Sequence, residues 1–231
     1  MINLLISAQG ISKTYKGRRG SERETAALLQ NDIEVRSGQL CVIHGRSGSG
    51  KSTLLNILSG LLSPTDGTVR YDDCEIYSLG DRSLSRFRCE HTGYIPQGHA
   101  AVSTLTVREN ILLPTAVLGD KDSLHRADIL LKRLGLDKLA DAYPNELSGG
   151  ELRRLSIARA LINSPDAVFA DEPTNDLDDE NSEFVFELLK ETADSGTAVV
   201  VVTHESDVDK YADTVYHMKQ GKLTKERDKL C

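Results

Sequence analysis

The sequence predicts an α/β fold: a mostly parallel sheet wrapped by helices, with an antiparallel β section at its N-terminal end and a helical segment inserted between two strands. Three observations predict it. Short apolar runs at residues 40–43, 167–170 and 197–202 have the composition of strands buried on both faces. The first two are each followed by apolar residues at helical spacing, the alternation that gives a parallel sheet. From about residue 98 to 163 helical spacing dominates. A chain of 231 residues with 39% hydrophobic side chains has enough apolar material for a substantial core.

In chain order, Leu4, Ile6 and Ala8 alternate with polar residues and predict a half-buried strand. Lys13, Thr14, Tyr15, Lys16 and Gly17 read as a turn carrying one aromatic, and a second strand is expected over residues 32–35, closed by Ser37 and Gly38. Leu54, Leu55, Leu58 and Leu61 mark the apolar face of the helix that follows residues 40–43. Pro64, Thr65, Asp66 and Gly67 signal a turn before a strand at 68–71, residues 83–89 read as a short basic helix, and 93–97 as a brief strand entering a polar loop at Gln97.

Thr106 and Glu109 have the spacing of a capping box, so a helix should begin there and be bent or stopped at Pro114. Leu124, Ala127, Leu130, Leu131 and Leu134 form an amphipathic stripe that ends at Gly135. Ser148 and Glu151 repeat the capping spacing, and Leu152, Leu155, Ala158 and Ile162 continue a buried face. The strand at 167–170 ends in Asp171 and Glu172; Phe184, Val185, Leu188 and Leu189 line the next helix; His204 stands just past the strand at 197–202. A hairpin around Gln220 and Gly221 closes the chain, joining strands at 214–218 and 222–224, with a charged tail to Cys231. These elements predict one domain over residues 1–231. Residues 1–97 and 164–231 form the α/β core with its β section, and 98–163 form a helical subdomain.

Gly45, Arg46, Ser47, Gly48, Ser49, Gly50, Lys51, Ser52 and Thr53 fit G-x-x-x-x-G-K-[ST] between a strand and a helix. In such a loop successive backbone N–H groups face one concavity at a helix N-terminus, which holds a polyphosphate. Lys51 would reach the β- and γ-phosphates and the Ser52 hydroxyl would ligate Mg²⁺. Ligands of open parallel sheets bind beyond the carboxyl ends of the strands, where this loop, Asp171, Glu172 and His204 all fall. Asp171 is suited to holding Mg²⁺ and Glu172 to polarising an attacking water.

Lys+Arg 28 against Asp+Glu 35 leaves a net charge of −7, which argues against a nucleic-acid surface as the main business. The four cysteines lie far apart without a C-x-x-C pair, so neither a zinc site nor a disulfide framework is indicated, and a reducing cytosol fits them best. The first residues lack the features of a signal peptide and no apolar run reaches the length of a membrane span, so a role at a membrane is expected to run through a separate subunit.

On these motifs the chain resembles the ATP-binding-cassette ATPases over nearly its whole length. The segment Leu147-Ser148-Gly149-Gly150-Glu151 resembles that family's signature motif, Gln97 its glutamine loop, and residues 167–172 its second nucleotide motif. His204 resembles its switch histidine, and Asn175-Asp176-Leu177-Asp178 the loop that links two nucleotide sites. Tyr15 sits where the family places an aromatic that stacks on adenine.

The resemblance implies a P-loop NTPase core of the RecA-like kind with an N-terminal antiparallel β subdomain and an inserted α-helical subdomain. It implies ATP and Mg²⁺ as cofactors, with Glu172, His204 and Lys51 catalytic and Ser52, Gln97 and Asp171 at the metal. Nucleotide contacts would come from residues 45–53, Tyr15, Gln97, Ser148, Gly149, Gly150 and Asp176. Two chains would pair head to tail around ATP, Ser148 and Gly150 of one touching the nucleotide of the other. The signature is itself a helix N-terminus with two glycines, suited to an anion.

Residues 105–114 and 172–178 look most like the ATPases of macrolide-efflux, lipoprotein-release and antimicrobial-peptide-resistance systems, although Thr174-Asn175-Asp176-Leu177-Asp178 stands where those read T-G-N-L-D. The implied function is to power a membrane permease docked near residues 98–114, with Gln97 as hinge. The alternative is a regulatory or assembly ATPase of the same fold that drives no transport.

Overall fold

The computed structural model describes residues 5–16, 24–98, 100–120 and 122–228. Strand β1 (Leu5–Tyr15) pairs antiparallel with β2 (Thr25–Arg36). Both exceed the sequence expectation. Lys13, Thr14 and Tyr15 continue the strand instead of turning, because their partners lie far off in the chain: Lys13 Nζ donates to Ser63 O at 2.6 Å and Thr14 N–H to Thr65 Oγ1 at 3.0 Å. Gly17 and the segment after it, like His99 and Cys231, lie outside the described residues.

The all-buried strand β3 (Leu40–His44) runs into helix α1 (Lys51–Leu58). The apolar face of α1 stops at Leu58; Leu61 lies beyond its end and is 52% exposed. Strand β4 (Asp66–Tyr71) includes two residues expected in a turn, pairs with β1 on one edge, and with the short β5 (Cys74–Glu75) completes a sheet of order β2-β1-β4-β5. Helix α2 (Asp81–His91) leads directly to β6 (Thr92–Ile95).

Three helices follow, α3 (Val107–Leu112), α4 (Ser123–Arg133) and α5 (Gly149–Leu161). The capping box at α3 is complete: Glu109 N–H donates to Thr106 Oγ1 at 3.2 Å and Thr106 N–H to Glu109 Oε2 at 2.8 Å. Past Leu112 the chain tightens to a 3-10 turn that carries Pro114. In α4, Ala127, Leu130 and Leu131 are buried, whereas Leu124, in its first turn, is 57% exposed. Thr106→Ala removes one of the two cap bonds and should lower stability by about 1 kcal/mol. In a chain of this length that is a fall in Tm of roughly 2–4 °C, and an unchanged Tm would show the cap to be redundant.

Strand β7 (Ala167–Asp171), helix α6 (Asp179–Asp194), strand β8 (Ala198–Thr203) and the hairpin β9 (Thr214–Lys219) and β10 (Lys222–Asp228) complete the chain. The second sheet has the order β10-β9-β3-β8-β7-β6, parallel except for the edge strand β10. Successive side chains of a strand point to opposite faces, so each central strand feeds two cores. Val42, Val168, Ala170, Val199 and Val201 meet α3 to α6 on one face. Cys41, Ile43, Phe169, Val200 and Val202 meet α1 and the antiparallel sheet on the other. Helix α5 touches β6 backbone to backbone: a Cβ at Gly93 would lie 2.4 Å from the Ala160 carbonyl oxygen, so any side chain there would force strand and helix apart.

Candidate active site

The carboxyl ends of β3, β7 and β8 come to one edge of the parallel sheet because the strands are in register, and the chemistry-bearing residues sit just past them. After β3 the chain makes a tight loop into α1. Gly50, the helix N-cap, has φ +108°, and a Cβ there would lie 2.5 Å from the Ala27 carbonyl oxygen; both facts demand glycine. Gly45 is equally enclosed, its would-be Cβ 2.5 Å from the Met218 carbonyl oxygen.

The loop opens on a cleft of about 540 Å³ lined by Ala27, Arg46, Ser47, Gly48, Ser49, Gly50, Lys51, Ser52, Thr53, Gln97, Glu172 and His204. That volume suits a small-molecule ligand. Lys51 is buried and donates from Nζ to Gly45 O at 2.6 Å, with Glu172 Oε1 3.2 Å away. Ser52 Oγ donates to Asp171 Oδ1 at 3.1 Å, so two oxygens from separate elements face one point. Burial raises the Asp171 carboxyl above its ordinary pKa; the Ser52 hydrogen bond opposes this and the neighbouring Glu172 charge adds to it.

Glu172 is held on all sides. Its backbone adopts φ +46° and its N–H donates to Val202 O at 2.9 Å, which turns the side chain out of β7 toward the loop. His204 Nδ1 lies 2.8 Å from Glu172 Oε2, and the His204 backbone N–H donates to the same oxygen at 3.3 Å. The geometry therefore joins cation, carboxylate and imidazole in one chain from Lys51 to Glu172 to His204.

Other expected residues stand apart from this cleft. Tyr15 is exposed at the end of β1, with Lys13 Nζ 5.7 Å from its ring centroid, and is not among the lining residues. Asp176 is exposed, at φ +67°, and does not line the cleft either. Ser148 caps α5, accepting from Glu151 N–H at 3.4 Å while its own N–H donates to Glu151 Oε2 at 2.7 Å; Gly149 and Gly150 begin the helix. None of these three lines the cleft of its own chain. Ala27 in β2 was not foreseen as a lining residue, and nothing in its sequence context marks it.

Phosphate loop, paired oxygens and a polarised carboxylate at the end of a parallel sheet define a P-loop nucleoside triphosphatase. The model of the family described as ABC transporter matches residues 28–175. The ABC transporter ATP-binding protein YtrE of Bacillus subtilis is 38% identical over 223 residues, covering 95% of this chain and 96% of that protein. The lipoprotein-releasing system ATP-binding protein LolD of Shewanella oneidensis is 39% identical over 226 residues, covering 96% and 97%. MJ0796, a bacterial ABC transporter cassette solved as a dimer and in a post-hydrolysis state bound to ADP and Pi, is 34% identical with a TM-score of 0.88 over 96% of this chain and 98% of its own. This chain belongs to the ABC transporter family, as an ATP-binding and ATP-hydrolysing cassette. Among the described residues no helix is long and apolar enough to cross a membrane.

Proposed function

We propose that this chain is the subunit whose ATP hydrolysis powers a separate membrane permease, as an exporter or an extracytoplasmic-substrate system. The observation that carries the reading is the linked set at the cleft: Lys51 against Glu172, Glu172 against His204, and Ser52 against Asp171. Residues 45–53 cradle the phosphates on backbone N–H groups, and Lys51 shifts from Gly45 O and Glu172 to the β- and γ-phosphates. Glu172, relieved of that cation, accepts the proton of the attacking water, and His204 holds its carboxylate in place.

The site fits Mg²⁺. Ser52 Oγ and Asp171 Oδ1 are paired hard oxygens beside the cradle, and Ser49 Oγ is buried there without a partner among the described residues. Ser52, Asp171 and Gln97 would hold the ion, which would supply neutralisation of the phosphate charge.

The head-to-tail pairing of two chains is supported by the position of Ser148, Gly149 and Gly150, outside their own cleft, and by the dimer of MJ0796. Tyr15 would stack on the adenine, and Asp176 would contact the second site. Residues 98–163 would act as the helical subdomain of one domain spanning 1–231. A permease segment would hold the chain at the inner face of the cell membrane. It would dock at the groove of about 210 Å³ lined by Leu61, Arg88, Tyr94, Pro114, Arg159 and Asn163, beside the exposed Leu113.

The test is ATP turnover by the purified chain, alone and coexpressed with a candidate permease subunit of the lipoprotein-release or macrolide-efflux type. Turnover should require Mg²⁺, stop on chelation, and rise with the partner. A chain that hydrolyses no ATP at any protein concentration sinks the proposal, and a rate indifferent to the membrane protein sinks its transport half.

A further inference from the structure

Helix α5 carries two arginines whose bonds are unusual. Arg153 is fully buried, yet among the described residues its hydrogen bonding is confined to Nη1, which donates to Pro96 O at 2.9 Å. Its Nε and Nη2 are buried without a partner among the described residues. Six positions on, Arg159 Nη1 donates to Ala100 O at 2.6 Å. The short loop that carries Gln97 is thus bonded to one helix at both ends.

A buried guanidinium without a paired carboxylate is unfavourable for stability, since desolvation outweighs a single bond to a carbonyl. Burial lowers the pKa of Arg153, with the Asp176 charge acting against it. A buried polar group left short of partners calls for an explanation outside stability, and the site linked here supplies one. Ile95 is in register with Ala170 and belongs to the sheet. Pro96, the next residue, is bonded to α5.

We propose that Arg153, aided by Arg159, is a positioning residue for ATP hydrolysis: it clamps the Gln97 loop to the signature helix, so that Gln97 and Ser148 move as one body. The bend lies between Ile95 and Pro96, and Gln97 itself rides on the moving part. The kinetic side of this inference rests on the reading of Gln97 as a residue at the nucleotide. The mechanical side does not.

Limited proteolysis of the full chain without nucleotide tests the clamp directly. Arg153→Gln and Arg159→Gln should each speed elastase cleavage after Ala100 or Ala101 by about tenfold, with helix content by circular dichroism as in the parent. Arg159 is half-buried, so its variant serves if Arg153→Gln folds poorly. Steady-state kinetics test the consequence. Arg153→Gln should lower kcat about tenfold with KM for ATP within roughly twofold, and Arg153→Lys, which can still donate to Pro96 O, should recover most of the loss.

The double variant with Gln97→Ala should be no slower than Gln97→Ala alone, because the clamp acts through that residue. Unchanged cleavage after Ala100 and Ala101 overturns the clamp, and losses that multiply in the double variant overturn its action through Gln97. A parental chain inactive on ATP would fail the hydrolysis reading, while proteolysis would still decide the clamp.

Discussion

Glu172→Gln should slow ATP turnover by about 100- to 1,000-fold while leaving nucleotide binding close to parental. The substitution is nearly isosteric. A glutamine carbonyl still accepts from Lys51 or from the His204 backbone, and the His204 ring can exchange donor for acceptor at Nδ1. What disappears is the negative charge within 3.2 Å of Lys51 Nζ and 2.8 Å of His204 Nδ1, the group able to take a proton from water. Because binding survives and hydrolysis does not, the ATP-bound dimer should accumulate. Sedimentation in saturating ATP should then show a species of twice the monomer mass, and Ser148→Arg in the same background should remove it. Parental turnover by Glu172→Gln would end the assignment of the base to this residue.

Lys51→Ala should weaken ATP binding at least ~100-fold, because a charge-assisted hydrogen bond contributes about 1.5–3 kcal/mol and Lys51 is placed to make two. A thermal shift reads this without any turnover. At a hundredfold excess over its dissociation constant a ligand stabilises a protein by about 2.7 kcal/mol, a rise in Tm of roughly 5–10 °C for a chain of this size. The variant should show almost none of that rise at the same ATP concentration. An equal shift in parent and variant would mean that the backbone cradle alone holds the phosphates.

Much of the site was legible because its geometry follows from strand direction. Once residues 40–43, 167–170 and 197–202 are read as parallel strands, the loop from Gly45, the acids Asp171 and Glu172, and His204 must share an edge, and they do. The capping boxes at Thr106 and Ser148 were legible because each is closed within four residues. Legibility fails where the deciding partner is distant. The strand at Lys13 to Tyr15 looks like a turn until residues near Ser63 and Thr65 are placed beside it. Leu61 and Leu124 continue an apolar spacing past the surface that their helices bury, so periodicity alone assigned them inward. Arg153 shows the converse. Its spacing with Ser156 and Ala160 puts it on the buried face of α5, a signal open to reading, but charge masked it.

The close approach of Gly93 to Ala160 gives α5 a mechanical character. The contact lies near the C-terminal end of a helix of 13 residues, where it would serve as a fulcrum if the helix swings. At 1.5 Å per residue, Ser148 stands about 18 Å from that point and Arg153 about 10 Å. A swing of ~10° would carry the signature through roughly 3 Å, and the Gln97 loop, gripped at Arg153, through a little over half as much. The helix is thus a lever with a built-in reduction. On the head-to-tail pairing proposed above, a large displacement at Ser148 would become a small one at Gln97, the scale on which a water must be aligned for attack.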